Sequence, residues 1–296
     1  MGGYDPRSLK PPEPLGRLRG TDAGREWLAA LPDTLAEVVS DWSLRIGEPY
    51  GDSKVSLVLP ATLPDSSTAV LKLQFPDRES EHEAAALRHW DGNGVVRLLA
   101  HDERRCALLV EHCAPGDYLA RADLDNALSV FVDLLPVLSK PAAEPFTPLS
   151  DEARRWAENL MPEWERAGRP CERRLVDAAR DLLDGLVDGP DEHVLLHQDL
   201  HSYNVLSADR QPWLAIDPKP LVGERAFAIA PIVRDYELGH SRRQLRLRLD
   251  RLSAELDIDR ERARDWTLAQ TVVWAIRGGV GTPRHVESAR WLLALR

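Results

Sequence analysis

The stretch HVLLHQDLHSYNVLSADRQPWLAIDP, from His193 to Pro218, sets His193, His197, His201, Asp199, Asn204 and Asp217 among Val, Leu and Ile. A buried strand would not tolerate so many polar groups, and a surface loop would not need so many aliphatics. Two chemistries could use them. The three His recur at every fourth residue, which on a helix would make one metal-binding face; the surrounding residues read as strand and loop, and no HExxH accompanies them. The second chemistry uses oxygen. Asp199 and Asn204 are separated by four residues, and Asp217 closes the apolar run WLAID. Phosphoryl transfer needs one carboxylate to position a hydroxyl, an amide and a second carboxylate to hold Mg²⁺ against phosphates, and a Lys on the phosphates. A hairpin carrying Asp199 and Asn204 on its loop and Asp217 at the end of its second strand can gather those oxygens, and hard oxygen ligands suit Mg²⁺.

The Lys is available in TAVLKLQF, where Lys72 stands amid Ala69, Val70, Leu71 and Leu73. A cation inside an apolar strand needs a partner. Glu83, on the following helical stretch, is the expected one, with Glu79 and Glu81 as competitors.

These residues need elements to hold them. TDAGREWLAALPDTLAEVVSDW has apolar residues at helical spacing, with Pro32 as a potential break. WSLRIG, KVSLVLP and TAVLKLQF read as three antiparallel strands separated by turn residues. A helix follows over DRESEHEAAALRHW, with Ala84, Ala85 and Leu87 as its inward face, then two more strands, VVRLLAHD and CALLVEHC. After Pro115 and Gly116 the chain is mostly amphipathic helix, interrupted by the opening stretch. In RRQLRLRLDRL an apolar seam of Leu245, Leu249 and Leu252 marks a helix face and not a nucleic-acid patch. The expected division is a flexible tail or surface strap over residues 1–23, a β-rich lobe over 24–113 and a helical lobe over 114–296.

The 296 residues carry 38 Lys and Arg against 48 Asp and Glu, a formal charge of −10. That balance argues against nucleic acid as the main ligand and permits a cationic one. Three scattered Cys without a CxxC are neither a disulfide framework nor a zinc motif. No apolar run approaches a membrane span, and the opening MGGYDPRSLKPPEPLGRLRG has no signal-like apolar core. A cytoplasmic setting is expected.

With LLHQDLHSYNVL and PWLAIDPKPLVG the chain resembles the aminoglycoside O-phosphotransferases, and most closely their streptomycin 6-phosphotransferase and hydroxyurea-resistance kinase branch. AVLKLQ, ALRHWDGNGVVRLL and RARDWTLAQ are also similar to that branch. The resemblance implies an α+β, protein-kinase-like two-lobe fold and ATP- and Mg²⁺-dependent phosphorylation of a small-molecule hydroxyl, an aminoglycoside such as streptomycin above all. It implies Asp199 as catalytic base, Asn204 and Asp217 as Mg²⁺ ligands, Lys72 and Glu83 as the phosphate-clamping pair, and the backbone from Glu111 to Cys113 as the adenine contact. His197 and His201 would shape the loop.

The chain departs from the pattern in two places. GEPYGDSKVS lacks G-x-G-x-x-G, which leaves Gly47, Gly51 and Ser53 to form the turn over the phosphates. In GERAFAIAP, Glu224 and Ala228 replace two usual Asp, the second of which would prop the catalytic loop. The expected partner is a small, cationic acceptor bound by a monomer, with neither nucleic acid nor membrane involved. Another acceptor (hydroxyurea, a peptide antibiotic or a metabolite), a nucleotide-binding protein with little turnover and a zinc hydrolase built on the His series are the alternatives.

Overall fold

A computed structural model describes residues 4–51, 53–190, 192–277 and 283–295. Asp52 of the expected phosphate loop and the first three residues of the expected tail lie outside them. The chain forms two compact units, one ending at Gly116 and the other starting at Asp117.

The first unit is built on an antiparallel sheet of β1 (Arg45–Ile46), β2 (Ser56–Thr62), β3 (Thr68–Gln74), β4 (Leu98–Asp102) and β5 (Ala107–Glu111), in the order β1-β2-β3-β5-β4. Alternation assigns its faces. Leu57, Leu59, Ala61, Ala69, Leu71 and Leu73 are buried in one cluster with Leu31, Leu35 and Val38 of helix α1 (Asp22–Asp41). Lys72, between Leu71 and Leu73, points to the other face, on the side of helix α2 (Glu83–Trp90). Gly47 lies against β2, its N–H donating to the Pro60 carbonyl at 2.9 Å. A Cβ there would come within 2.8 Å of the Pro60 ring, so the approach requires glycine.

Three expectations change. Pro32 does not split α1, which is continuous over Asp22–Asp41; Leu31, Leu35 and Val38 anchor the turns on both sides of the Pro in the core. The inward face of α2 is Glu83, Ala84, Ala86, Leu87 and Trp90, without Ala85. The opening segment is packed: Leu15 is fully buried, Tyr4 N–H donates to the Ile46 carbonyl at 3.1 Å, and Arg17 Nε donates to the Lys54 carbonyl at 3.1 Å. Its Pro and Gly shape 3₁₀ turns over Pro6–Ser8 and Glu13–Gly20 and leave Leu9 and Leu15 to fill the core.

The second unit is mainly helical. Its helices are α3 (Leu124–Leu138), α4 (Leu149–Arg166), α5 (Arg173–Leu186), α6 (Arg225–Ala228), α7 (Ala230–Val233), α8 (Arg242–Glu255), α9 (Arg260–Ile276) and α10 (Pro283–Leu293). The α9 helix is buried nearly all round, by α4, α5, α6, α7, α8 and α10. In α8, Leu245, Leu249 and Leu252 are buried as their spacing predicts, and Arg248 is buried with them, donating to the carbonyls of Val233, Leu238 and Gly239. Two small sheets hold the remaining strands: β10 (Trp213–Ala215), β9 (Val205–Ala208) and β6 (Pro115–Tyr118), in the order β10-β9-β6, and β7 (Thr147–Pro148), β11 (Leu221–Gly223) and β8 (Val194–Leu196), in the order β7-β11-β8. Among the described residues no helix is long and apolar enough to cross a membrane.

The packed opening is directly testable. Leu15→Ala should destabilise the protein by about 2–5 kcal/mol, the usual cost of emptying a buried Leu site, read by denaturant unfolding. A change below about 0.5 kcal/mol would show that the segment is not part of the core.

Candidate active site

The stretch from His193 to Pro218 contains three strands, not one hairpin. The hairpin is β9–β10, its tip made by the polar turn between Ala208 and Trp213. β8 pairs instead with β11, so the segment from His197 to Asn204 crosses from one sheet to the other. Asp199 lies in this crossing. Asn204 immediately precedes β9 and Asp217 follows β10, and the Ile216 N–H donates to the Asn204 carbonyl at 2.9 Å. That bond extends the ladder by one rung and brings Asn204 and the residue before Asp217 to the same hairpin end.

The crossing is held by hydrogen bonds from every side. His197 is buried, and its Nε2–H donates to the Ile216 carbonyl at 2.9 Å. Burial pushes the imidazole down to about 4 despite the neighbouring Asp199 carboxylate, so the ring is neutral at neutral pH. The His197 carbonyl accepts from the N–H groups of Asp199 at 2.7 Å and Lys219 at 3.0 Å. Asn204 Nδ2 donates to the Asp199 carbonyl at 2.9 Å, and Gln270 Nε2, from α9, donates to the Gln198 carbonyl at 3.3 Å. Gln198 and Asp217 have φ of 61° and 56°, a conformation rarely taken by residues other than glycine and one that recurs at functional sites.

Asp199 is set between two cations. Its Oδ2 accepts from Lys219 Nζ at 3.0 Å, and Arg234 Nη2 lies 3.9 Å from its Oδ1. Burial alone would raise the carboxyl, but Lys219, His201 and Arg234 outweigh it and hold Asp199 well below the usual carboxylate range. Burial pulls buried Arg234 down to about 10, which leaves it charged; its Nη1 donates to Gln270 Oε1 and its guanidinium lies 5.2 Å from the Trp274 ring centroid.

The GERAFAIAP stretch, with Glu224 and Ala228, sits next to the segment carrying Asp199. The segment carrying Asp199 is propped by Asp235: its Oδ2 accepts from Ser202 N–H at 2.7 Å and its Oδ1 from Glu237 N–H at 3.0 Å. Ala228 is buried on α6 and lines a cavity of about 330 Å³ with Val132, Leu135, Leu256 and Ile258 among others. Glu224 accepts from Arg262 Nη2 at 2.6 Å and Trp266 Nε1 at 2.7 Å, tying the start of α6 to α9.

In the first unit, Lys72 Nζ meets both Glu83 oxygens, at 2.9 and 2.8 Å, and both side chains are buried. Gln74 Nε2 adds a third donor to Glu83, at 2.5 Å. The competitors Glu79 and Glu81 are not needed to neutralise the Lys. Ser53 Oγ accepts from Ser56 N–H at 3.2 Å, within its own turn. Glu111 ends β5 with its N–H donating to the Arg97 carbonyl at 2.9 Å, and its Oε2 accepts from Arg97 N–H at 3.0 Å; Cys113 is buried two residues on.

Asn204 spends its amide N–H on Asp199, which leaves its amide oxygen as the acceptor to pair with the Asp217 carboxylate. Such a neutral and anionic hard-oxygen set fits Mg²⁺, which keeps waters and substrate oxygens in its shell. Among the described residues no group of three or more His, Cys, Asp or Glu side chains is placed to hold a metal, so the zinc alternative finds no geometry. Sequence spacing missed Lys219, Arg234 and Asp235. Their signal was a charged pair, Arg234–Asp235, closing the apolar run AFAIAPIV, and a Lys two residues after Asp217.

The fold is that of the kinase-like small-molecule phosphotransferases. The chain superposes on the aminoglycoside phosphotransferase APH(4)-Ia with a TM-score of 0.63 at 13% identity, covering 88% of this chain and 96% of that one. On a choline kinase from Streptococcus pneumoniae the TM-score is 0.60, also at 13% identity, covering 88% and 97%. In sequence, the family described as aminoglycoside/hydroxyurea antibiotic resistance kinase matches residues 42–279. The streptomycin 6-kinase of Streptomyces griseus is 38% identical over 271 residues, 88% of each chain. The hydroxyurea phosphotransferase of Kitasatospora aureofaciens is 39% identical over 285 residues, 93% of this chain and 82% of that one. The chain belongs to the aminoglycoside/hydroxyurea antibiotic resistance kinase family and is an enzyme of the phosphotransferase class.

Asp235→Ala should leave two buried or partly buried N–H groups unpaired. The cost is about 1–3 kcal/mol, seen as a lower Tm, together with a loss of kcat as the loop carrying Asp199 loosens. A variant with wild-type Tm and kcat would show that the loop is held elsewhere.

Proposed function

We propose that the protein transfers the γ-phosphoryl group of ATP, with Mg²⁺, to one hydroxyl of a small antibiotic, and that streptomycin is the acceptor. The reading rests on one arrangement above all: an ionised Asp199 beside the hairpin end that carries Asn204 and Asp217. The acceptor is suggested by likeness to the streptomycin 6-kinases. The acidic net charge and the three scattered Cys are compatible with a cytoplasmic monomer acting on a cation.

In this reading Asn204 and Asp217 hold Mg²⁺, which when bound offsets charge on the β- and γ-phosphates. Lys72, kept in place by Glu83, binds the donor phosphates. The backbone from Glu111 to Cys113 meets the adenine, and the turn of Gly47, Gly51 and Ser53 lies over the phosphates. Asp199 accepts a hydrogen bond from the acceptor hydroxyl and aims its oxygen at phosphorus. Lys219 and Arg234 keep this carboxylate ionised, so it is a weak base early in the reaction. It takes the proton late, when the new P–O bond has made the hydroxyl acidic, as a loose transition state requires.

Hydroxyurea is the second reading. It is favoured by the two cations on Asp199, which suit a neutral acceptor better than a guanidinium-bearing one, and by the hydroxyurea phosphotransferase relative. Incubation with Mg·ATP and each compound, with ³¹P NMR of the product, decides between them. A streptomycin phosphate ester is the expected result; product from hydroxyurea alone would transfer the assignment. With the productive acceptor, Asp199→Asn should lower kcat by about 10²–10⁴-fold while nucleotide binding stays near wild type. Undiminished kcat would remove Asp199 from the mechanism.

A further inference from the structure

We infer that Lys219 is a further catalytic residue, donating to the transferred phosphoryl group as well as to Asp199. The inference rests on the phosphotransferase reading above, but not on which acceptor is used.

Lys219 Nζ is 3.0 Å from Asp199 Oδ2, the carboxylate that must hydrogen-bond the attacking hydroxyl. The hydroxyl oxygen attacks phosphorus, so the phosphoryl oxygens come to lie next to the same carboxylate. An ammonium already 3.0 Å from that carboxylate is therefore within reach of them, and it carries three N–H donors. Its side chain is 28% exposed, against 5% for Arg234. The two cations on Asp199 thus differ in kind. Arg234 is committed inside the unit, to Gln270 Oε1 and the Trp274 ring. Lys219 is the more exposed of the two.

The backbone fixes Lys219 as firmly as the residues on either side of it. Its N–H donates to the His197 carbonyl at 3.0 Å, the same oxygen that accepts from Asp199 N–H. Pro218 and Pro220 flank it and restrict the backbone on both sides. β11 begins immediately afterwards, at Leu221. An ammonium on a fixed backbone, held against the Asp199 carboxylate, is a preorganised donor of the kind that stabilises charge developing on a transferring group. Removal of one such preorganised donor costs about 10²–10³ in rate.

A role confined to orienting Asp199 would be that of a positioning residue, and three variants separate the two. Lys219→Met keeps the length and removes the charge, Lys219→Arg keeps the charge, and Lys219→Met is also made in an Asp199→Asn background. Turnover is read on the best acceptor and on the slow hydrolysis of ATP by water. Hydrolysis keeps the comparison readable if streptomycin fails as acceptor, an outcome that would sink the substrate reading alone. Melting temperature and calorimetric ATP affinity are read alongside. The inference expects Lys219→Met to lose about 100-fold or more in kcat, with Tm and ATP affinity near wild type, and Lys219→Arg to recover most of the loss. It also expects a further loss of about tenfold when Lys219→Met is added to Asp199→Asn. Three results would overturn it: a kcat within about threefold of wild type in Lys219→Met, no rescue by Arg, or no added loss in the Asp199→Asn background.

Discussion

One buried imidazole organises the segment that carries Asp199. His197 donates from its ring to the Ile216 carbonyl, and its own carbonyl receives the N–H groups of Asp199 and Lys219. Three backbone points are thereby tied to one residue: Asp199, the strand end just before Asp217, and Lys219 beside Asp199. Burial keeps the ring in its neutral form by pushing the imidazole down to about 4. A protonated ring would have to carry its charge in a buried site, a cost that the neighbouring Asp199 and Asp217 carboxylates only partly offset.

Around that point, several buried charged groups are paired or hydrogen-bonded. Asp235 takes up two backbone donors, one of them in the catalytic loop. Glu224 binds α6 to α9 through Arg262 and Trp266. In the first unit Lys72, Glu83 and Gln74 form a buried cluster on the sheet face away from the main apolar cluster. Breaking such pairs costs far more than their formation contributes, because the survivor is left charged in a low-dielectric site. The value of these pairs lies in geometry: each fixes where a functional atom points.

Much of this was legible in the sequence. Alternation in KVSLVLP and TAVLKLQF marked two paired strands, because one face of each must be buried, and the Lys amid the aliphatics of TAVLKLQF pointed to a partner for Lys72. The Leu245, Leu249 and Leu252 seam was readable for the same reason. The spacing of Asp199, Asn204 and Asp217 singled them out, since no packing role wants three oxygen-bearing side chains amid aliphatics. What escaped the sequence depended on tertiary partners. Asp235 props a loop more than thirty residues upstream, and no local pattern announces that. Pro32 looked like a helix break, but the core contacts of Leu31, Leu35 and Val38 outweigh one missing hydrogen bond. A Pro- and Gly-rich opening read as a flexible tail or a surface strap because composition hides two Leu that reach the core. The crossing from β8 to β9 was read as a hairpin loop because local turn residues do not show which strands will pair.

The central claim is that Asn204 and Asp217 at the hairpin end hold the Mg²⁺ that accompanies the nucleotide. Calorimetric titration of ATP, with Mg²⁺ and with chelator, into the wild type and Asp217→Ala tests it most directly. The account predicts that Mg²⁺ tightens ATP binding to the wild type, and that Asp217→Ala loses this increment while keeping its metal-free affinity. An equal Mg²⁺ dependence in the two proteins would contradict it.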